Sequence, residues 1–307
     1  EYILAFDSAN GVVVAYGSYD RYTLAVTWTY NLTDDSWTYK NPGPSPCERG
    51  GMAMAYDSQN KVTILFGGAT PSALLNDTWM YDYPTNKWTE RKPINSPPLR
   101  SGSTMVYDKK DGVMVLVAGY DKTSAYVNET WTYNFTTNTW TNMTPARSPG
   151  QVERFSMVYD DLSGKVILFG GVDTSRGYLS LNDTWTYDYS SNTWTMLTPV
   201  SSPSPTNSAG MACNGKTGTL VFYGGYGPST RWGDTWAFNL TRYISPGCYT
   251  SQPFDTGGEA YFGLLEWNGT VPANTSLKFQ LRTADTKIGL NLTGFCGPDG
   301  SNATYYE

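Results

Sequence analysis

Three arginines, Arg49, Arg100 and Arg154, each stand a few residues ahead of a Tyr-Asp pair in this chain of 307 residues. In "CERGGMAMAYD" and "LRSGSTMVYD" the Arg precedes Tyr56 and Tyr107 by seven residues, and in "VERFSMVYD" it precedes Tyr159 by five. Guanidinium groups gathered at one mouth would bind an anionic or polyhydroxylated ligand through their planar, five-donor forks. The competing reading is structural: such arginines tie the scaffold together, with Glu48 and Glu153 beside two of them. Catalysis has fewer candidates. The chain contains no His, which removes Ser-His-Asp and Cys-His machinery, His-ligated zinc and proximal-His haem. Carboxylate-based glycoside cleavage remains open in principle, but most aspartates lie in turn-like strings ("YDSQNK", "YDKKDG", "YDDLSG"). Cys47, Cys213, Cys248 and Cys296 have no metal-ligand spacing and suit an oxidising compartment. Cys248 and Cys296 flank the C-terminal tract and are the disulfide candidates. No catalytic residue, metal or dissociable cofactor is therefore expected.

The elements that must position these residues repeat. "NDTWTYDYSSNTWTML" from Asn182 has close copies from Asn76 and Asn128. Its leading Trp recurs at Trp28, Trp79, Trp131, Trp185 and Trp236, and a second Trp falls seven after a Tyr at Trp37, Trp88, Trp140 and Trp194. Upstream of each phrase an apolar run ends in glycine, as in "VTILFGG" and "VILFGG", and before that comes a further strand-like run with a polar turn. Five units of four short β-rich runs make a repeat array. A small twisted sheet that is apolar on both faces cannot bury them alone. Stacking such sheets radially buries both faces and leaves short edges, which is the β-propeller solution. The second Trp of each phrase is expected on an outer strand, buried between blades.

A glycine pair after the second strand, followed by a Tyr and a Trp separated by six residues, resembles the kelch repeat. The resemblance covers residues 1–243. It implies an all-β, kelch-type β-propeller of five visible four-stranded units, and, since kelch propellers have six or seven blades, a segment of a larger propeller. Histidine ligands are needed for the copper site of the kelch-fold galactose oxidases, so that chemistry is excluded. Unit one reads "YGS" and unit three "VAGY" in place of the diglycine, and unit five has no second Trp, which puts its fourth strand in question. Residues 244–250 read as a linker. Residues 251–307 resemble the β-sandwich modules appended to bacterial and archaeal surface proteins, and end in strand-like "ATYYE". Unpaired edges at either end would recruit another segment or another copy of the protein.

Asn-x-Ser/Thr occurs at Asn31, Asn76, Asn128, Asn134, Asn142, Asn182, Asn239, Asn268, Asn274, Asn291 and Asn302. Asn76, Asn128 and Asn182 share one slot of the repeat, where either a turn or a sugar would explain them. Asn31, Asn134 and Asn239 share the turn after the third strand, where Asp82 and Asp188 stand in the other units. Each of these three Asn has Thr two residues on, and neither Asp does. That coupling favours N-linked sugar over turn chemistry alone. The net charge is −6 with 16% charged residues and no basic patch, so nucleic acid is not an expected partner. No run of 18 apolar residues exists to span a membrane as a helix. The expectation is a non-catalytic, glycosylated extracellular or cell-surface scaffold with a protein or glycan partner, or one that self-assembles into an array or filament. A lectin-like or carbohydrate-active propeller is the alternative.

Overall fold

The second run of each of the first four units is almost continuously apolar, as in a strand covered on both faces, while the third and fourth runs alternate Thr with Trp and Tyr at the period of a strand. The computed structural model describes residues 2–17, 25–121, 126–199 and 201–240, and every regular element among them is a β-strand. Unit one contains β1 (Tyr2–Asp7), β2 (Val12–Gly17), β3 (Val26–Asn31) and β4 (Ser36–Lys40). Unit two contains β5 (Ala53–Asp57), β6 (Val62–Ala69), β7 (Leu74–Asp82) and β8 (Lys87–Glu90). In unit three a short ribbon of β9 (Arg100–Ser101) with β12 (Tyr120–Asp121) accompanies β10 (Thr104–Asp108), β11 (Val113–Val117), β13 (Thr130–Asn134) and β14 (Thr139–Asn142). Unit four adds β15 (Val152–Glu153), β18 (Val172–Asp173) and β19 (Leu179–Ser180) to β16 (Ser156–Asp160), β17 (Lys165–Phe169), β20 (Thr184–Asp188) and β21 (Thr193–Leu197). Unit five has β22 (Gly210–Asn214), β23 (Thr219–Tyr223) and β24 (Thr235–Asn239), three strands among the described residues. Each main sheet is an antiparallel meander in sequence order, and in units one to four it is the four-stranded blade the repeat implies. The chain divides into two compact units, Glu1–Ser245 and Pro246–Glu307; the second, with Cys248, Cys296, Asn268, Asn274, Asn291 and Asn302, lies outside the described residues.

The seven-residue step from Tyr to Trp is one hairpin. Tyr81 pairs with Trp88, Tyr133 with Trp140 and Tyr187 with Trp194 across the third and fourth strands. Their rings lie 5.0–5.1 Å apart. The turn between them needs one left-handed residue, and Asn86, Asn138 and Asn192 supply it at φ near +50°. Each Asn then accepts the Tyr hydroxyl at 2.8–2.9 Å. The first turn of units one to four is closed by a buried aspartate, and that of unit five by the exposed Asn214. Asp7 Oδ1 accepts the Ala9 and Asn10 N–H groups, and Asp57, Asp108 and Asp160 make the same kind of turn.

Blades are joined by the tryptophans. Trp88 donates its Nε1–H to Thr27 of unit one at 3.0 Å, Trp140 to Thr78 of unit two at 2.9 Å, and Trp194 to Thr130 of unit three at 3.0 Å. Trp88 and Trp140 pack on Tyr16 and Phe66, the residue before the glycine corner of the preceding blade. All three indoles are buried, and the apolar clusters run across neighbouring units. Trp37 departs from the expectation: it is 53% exposed. The sequence places it on an outer strand correctly, but unit one is the first described blade, and no preceding blade lies among the described residues for the indole to pack against.

Candidate functional site

Arg49 and Arg100 start from homologous positions and end in homologous surroundings. Arg49 is 3% exposed. Its Nη1 and Nη2 hold both oxygens of Asp77 at 2.5 and 2.8 Å, Nη1 also reaches the Gly67 carbonyl, and Nε reaches the Cys47 carbonyl. The remaining N–H meets Cys47 Sγ at 3.2 Å, so all five donors are used. Arg100, 1% exposed, bonds Glu129 Oε2 at 2.5 Å, the Ala118 carbonyl and the Pro98 carbonyl. Each acid also accepts the indole N–H of the leading Trp, Trp79 to Asp77 at 2.7 Å and Trp131 to Glu129 at 2.8 Å. Burial alone would lower the Arg49 pKa, but hydrogen bonding and the charge of Asp77 carry it above its usual value. The arrangement is a clamp inside one blade, from the chain leading into the first strand to the start of the third.

Arg154 is not the third member. Its side chain is 61% exposed and pairs loosely with Glu153 at 3.6 Å. Glu153 pairs with Val172 as Ser101 pairs with Tyr120, so the buried position of Arg100 is taken in unit four by Val152. Arg154 falls where Gly51 and Gly102 stand, and at φ +55° it adopts their left-handed conformation. The five-residue, not seven-residue, distance to Tyr159 is the sequence trace of this offset.

Glycine has a stated task at the corner. A Cβ on Gly68 would lie 2.9 Å from the Gly50 carbonyl oxygen, and one on Gly119 2.9 Å from that of Ser101. At the first corner position a Cβ on Gly67 or Gly170 would also come within 2.9 Å of the Arg100 carbonyl oxygen or 2.6 Å of that of Thr206, whereas in unit three, which reads "VAGY", Ala118 takes the position at φ +60°.

The Asn-x-Thr phrase of units two and three is also accounted for. Its middle residue is the clamp acid, and its Thr78 or Thr130 is the buried acceptor for the next blade's Trp. Asn76 donates to the Pro97 carbonyl at 3.3 Å and Asn128 to Ser148 at 3.4 Å. Asn31 and Asn239 donate to Asp34 and to the Thr217 carbonyl, both at 2.8 Å. Asn134, Asn142 and Asn182 have Nδ2 groups with no hydrogen bond within the described residues, and Asn142 and Asn182 are exposed. Cys213 occupies the slot of Tyr56, Tyr107 and Tyr159. Its thiol lies 3.8 Å from Asp160, and burial, then that carboxylate, pushes its pKa up to about 11.

Two features were not read from the sequence. Tyr120, Tyr126 and Tyr178 meet edge to face, with centroids 6.1 and 6.3 Å apart, and Tyr178 is 61% exposed. The Tyr126 hydroxyl, held by Tyr178, partly buried and near Glu153, has its pKa raised well above the usual phenol range. Between units four and five lies an apolar cavity of about 280 Å³ with Phe169, Thr184, Phe222 and Trp236 in its wall. Thr184 and Phe169 are the counterparts of the residues that receive the Trp at the other joints. Among the described residues no group of three or more acids and cysteines could hold a metal.

Consecutive antiparallel meanders, four of them four-stranded, joined through repeated Trp contacts, define a kelch-type β-propeller in which Arg49, Arg100 and their partner acids belong to the framework. Residues 14–239 match the Attractin/LZTR1 beta-propeller family, and the chain belongs to that family. It is similar to Multiple epidermal growth factor-like domains protein 8 of Mus musculus, 23% identical over 59% of this chain and 7% of that protein. It is also similar to Kelch domain-containing protein 10 of Xenopus tropicalis, 28% identical over 57% of this chain and 43% of that protein. The chain thus spans less than half the length of either relative. Both are named for their domains, not for a catalytic activity.

Proposed function

We propose that this protein is a non-catalytic, N-glycosylated scaffold that works outside the cell, its propeller presenting loops and blade faces to a protein or glycan partner. One observation carries the reading: the groups that could have done chemistry are spent on architecture. Arg49 and Arg100 are buried clamps, and Asp7, Asp57, Asp108 and Asp160 close turns. Sequons outnumber these groups, and at Asn134, Asn142 and Asn182 the amide nitrogen is unengaged among the described residues. The intact mass of protein from its native source, before and after enzymatic removal of N-glycans, tests this. Hexose-containing mass at those asparagines is expected, and the bare polypeptide mass would overturn the extracellular reading.

The lectin-like alternative draws on the Tyr120, Tyr126 and Tyr178 cluster, since exposed aromatic rings beside carboxylates suit sugar faces. A glycan-array hit lost in Tyr178→Ala would make it the better description.

A further inference from the structure

A repeated unit is its own control, because a position that changes in one unit without a part in the framework is free to serve something else. Two such departures meet between units three and four. The first is loop length. From the second corner glycine to the acid that opens the third strand, units two and five need nine residues (Gly68 to Asp77, Gly225 to Asp234), unit three ten (Gly119 to Glu129) and unit four twelve (Gly171 to Asp183). Loops longer than the scaffold requires are where binding residues concentrate. The second departure is Glu153. It stands where units two, three and five carry Gly50, Ser101 and Asn207. Arg154 follows it in the left-handed conformation of Gly51 and Gly102.

Glu153 is a carboxylate without a settled partner. Its side chain is 13% exposed, and its Oε1 is buried with no hydrogen bond. Its ion-pair partner, Arg154 Nε, stays 3.6 Å away on a side chain that is 61% exposed. Asp173, across the short ribbon, is instead engaged by Ser175 and Arg176. A buried carboxylate oxygen left in this state calls for a donor. Beside it stands the Tyr126 hydroxyl, held by Tyr178. The Tyr126 ring meets that of Tyr120 at 62° and that of Tyr178 at 89°. Rings set at such angles make the walls of a corner, not the flat platform on which a sugar stacks. Tyr178 is exposed and held at φ +63°, and strain of that kind in a bulky residue gathers at ligand clamps.

Unit five carries a cation in the corresponding corner. Tyr226 there occupies the slot of Tyr120, and Arg231 that of Tyr126, each pair forming an isolated bridge. The Arg231 guanidinium lies 5.2 Å over the Tyr226 ring, within cation–π range. In unit three a second ring takes the place of that cation, and unit four adds the Glu153 carboxylate. Phenol faces beside a carboxylate suit a guanidinium, which stacks on the rings while its fork of donors meets the acid.

We infer that Glu153, Tyr126 and Tyr178 form a site for a guanidinium group, an arginine side chain presented by a protein partner, which takes the place of Arg154 at Glu153. The net charge of −6 favours the approach of a basic partner. This site rests on the partner-binding part of the proposed function and is independent of N-glycosylation. A bare polypeptide mass would remove the extracellular reading and leave the site standing.

Isothermal titration of the full chain with capped pentapeptides tests it, one carrying a central Arg and one its uncharged isostere citrulline. The Arg peptide is expected to bind in the millimolar range or tighter, and the citrulline peptide about tenfold more weakly. Glu153→Gln should weaken the Arg peptide about tenfold, and Tyr178→Ala about threefold or more. Glu90→Gln, which removes the same charge from the fourth strand of unit two, should leave it unchanged. Arg154→Gly gives unit four the residue of units two and three and removes the competing guanidinium, so the Arg peptide should bind about threefold more tightly. That gain cannot arise from misfolding, and circular dichroism verifies the fold of the other variants. No binding of the Arg peptide at about 10 mM would overturn the inference. Equal binding of the two peptides, or an Arg154→Gly variant no tighter than the parent, would do the same. A glycan-array hit lost in Tyr178→Ala, with no response to the Arg peptide, would give the corner to sugar and overturn the inference while leaving the scaffold reading intact.

Discussion

Trp140→Ala and Trp37→Ala are the same substitution at equivalent positions, and the structure gives them opposite costs. The Trp140 indole is 1% exposed, lies 4.8 Å from the Phe66 ring and 5.1 Å from the Tyr133 ring, and bonds Thr78 at 2.9 Å. Removing a buried Trp to Ala costs about 3–5 kcal/mol, the aromatic contacts included. Trp140→Phe retains much of the packing but leaves the buried Thr78 hydroxyl without its donor, for a cost of about 1–3 kcal/mol. Trp37 has no such surroundings among the described residues, where it is 53% exposed, and its removal should change stability by no more than about 0.5 kcal/mol. Urea denaturation followed by circular dichroism reads this as a lower midpoint at unchanged m for the Trp140 variants alone. Equal losses for Trp37→Ala and Trp140→Ala would refute the account of the joint, and so would a negligible loss at Trp140.

The remaining predictions concern buried polar groups. Asp108 is fully buried, its Oδ2 has no hydrogen-bond partner, and burial raises its carboxyl pKa. A raised folded-state pKa favours the protonated form, so this group lowers stability as pH climbs from the unfolded value, about 3.9, through the folded one. Asp108→Asn, which copies Asn214 of unit five, should therefore stabilise the protein near neutral pH and lose that advantage below about pH 4; thermal melts across pH would show an equal offset at every pH if the reasoning were wrong. Cys213, with its pKa pushed up to about 11, should resist iodoacetamide at pH 8 while exposed Cys47 reacts, and peptide mapping that finds both labelled at one rate would contradict this. Asp77→Ala should cost about 3–5 kcal/mol by leaving the buried Arg49 charge unpaired; a loss below about 1 kcal/mol, typical of a surface pair, would refute the clamp.

Much of this architecture was legible in one sequence, because a repeat prints its physical requirements several times. The fixed Tyr-to-Trp step fixed the hairpin, and the glycine after the second strand fixed the corner. The partners of those residues were harder to read. Trp88, Trp140 and Trp194 each bond a Thr some sixty residues earlier, a contact that exists only once one blade is laid on the previous one. Two of the three, Thr78 and Thr130, stood in plain view in Asn-x-Thr, where they suggested sugar. The clamp acids left a trace that counting would have found. Arg49 precedes Asp77 by 28 residues and Arg100 precedes Glu129 by 29. Arg154 also precedes Asp183 by 29, so that spacing alone would have admitted it falsely.

What separates Arg154 from the other two is backbone geometry, which neither spacing nor residue type reports. A guanidinium can enter the blade only from the extended position that Arg100 occupies in β9. One left-handed turn further along, at the position of Gly51 and Gly102, the side chain points out to solvent. Unit four has given up the clamp, fills its place with Val152 and keeps its Arg on the surface. A repeat read by residue type alone will therefore overcount its charged sites, because an Arg displaced by two residues looks the same in the sequence while its role passes from strut to surface charge. Counting back from an element of fixed register, here the Tyr that opens the first turn, is the safer measure. Applied to unit five, the same count leads from Cys213 to Thr206, which is 2% exposed and also uncharged. The Arg clamp is thus confined, among the described residues, to units two and three.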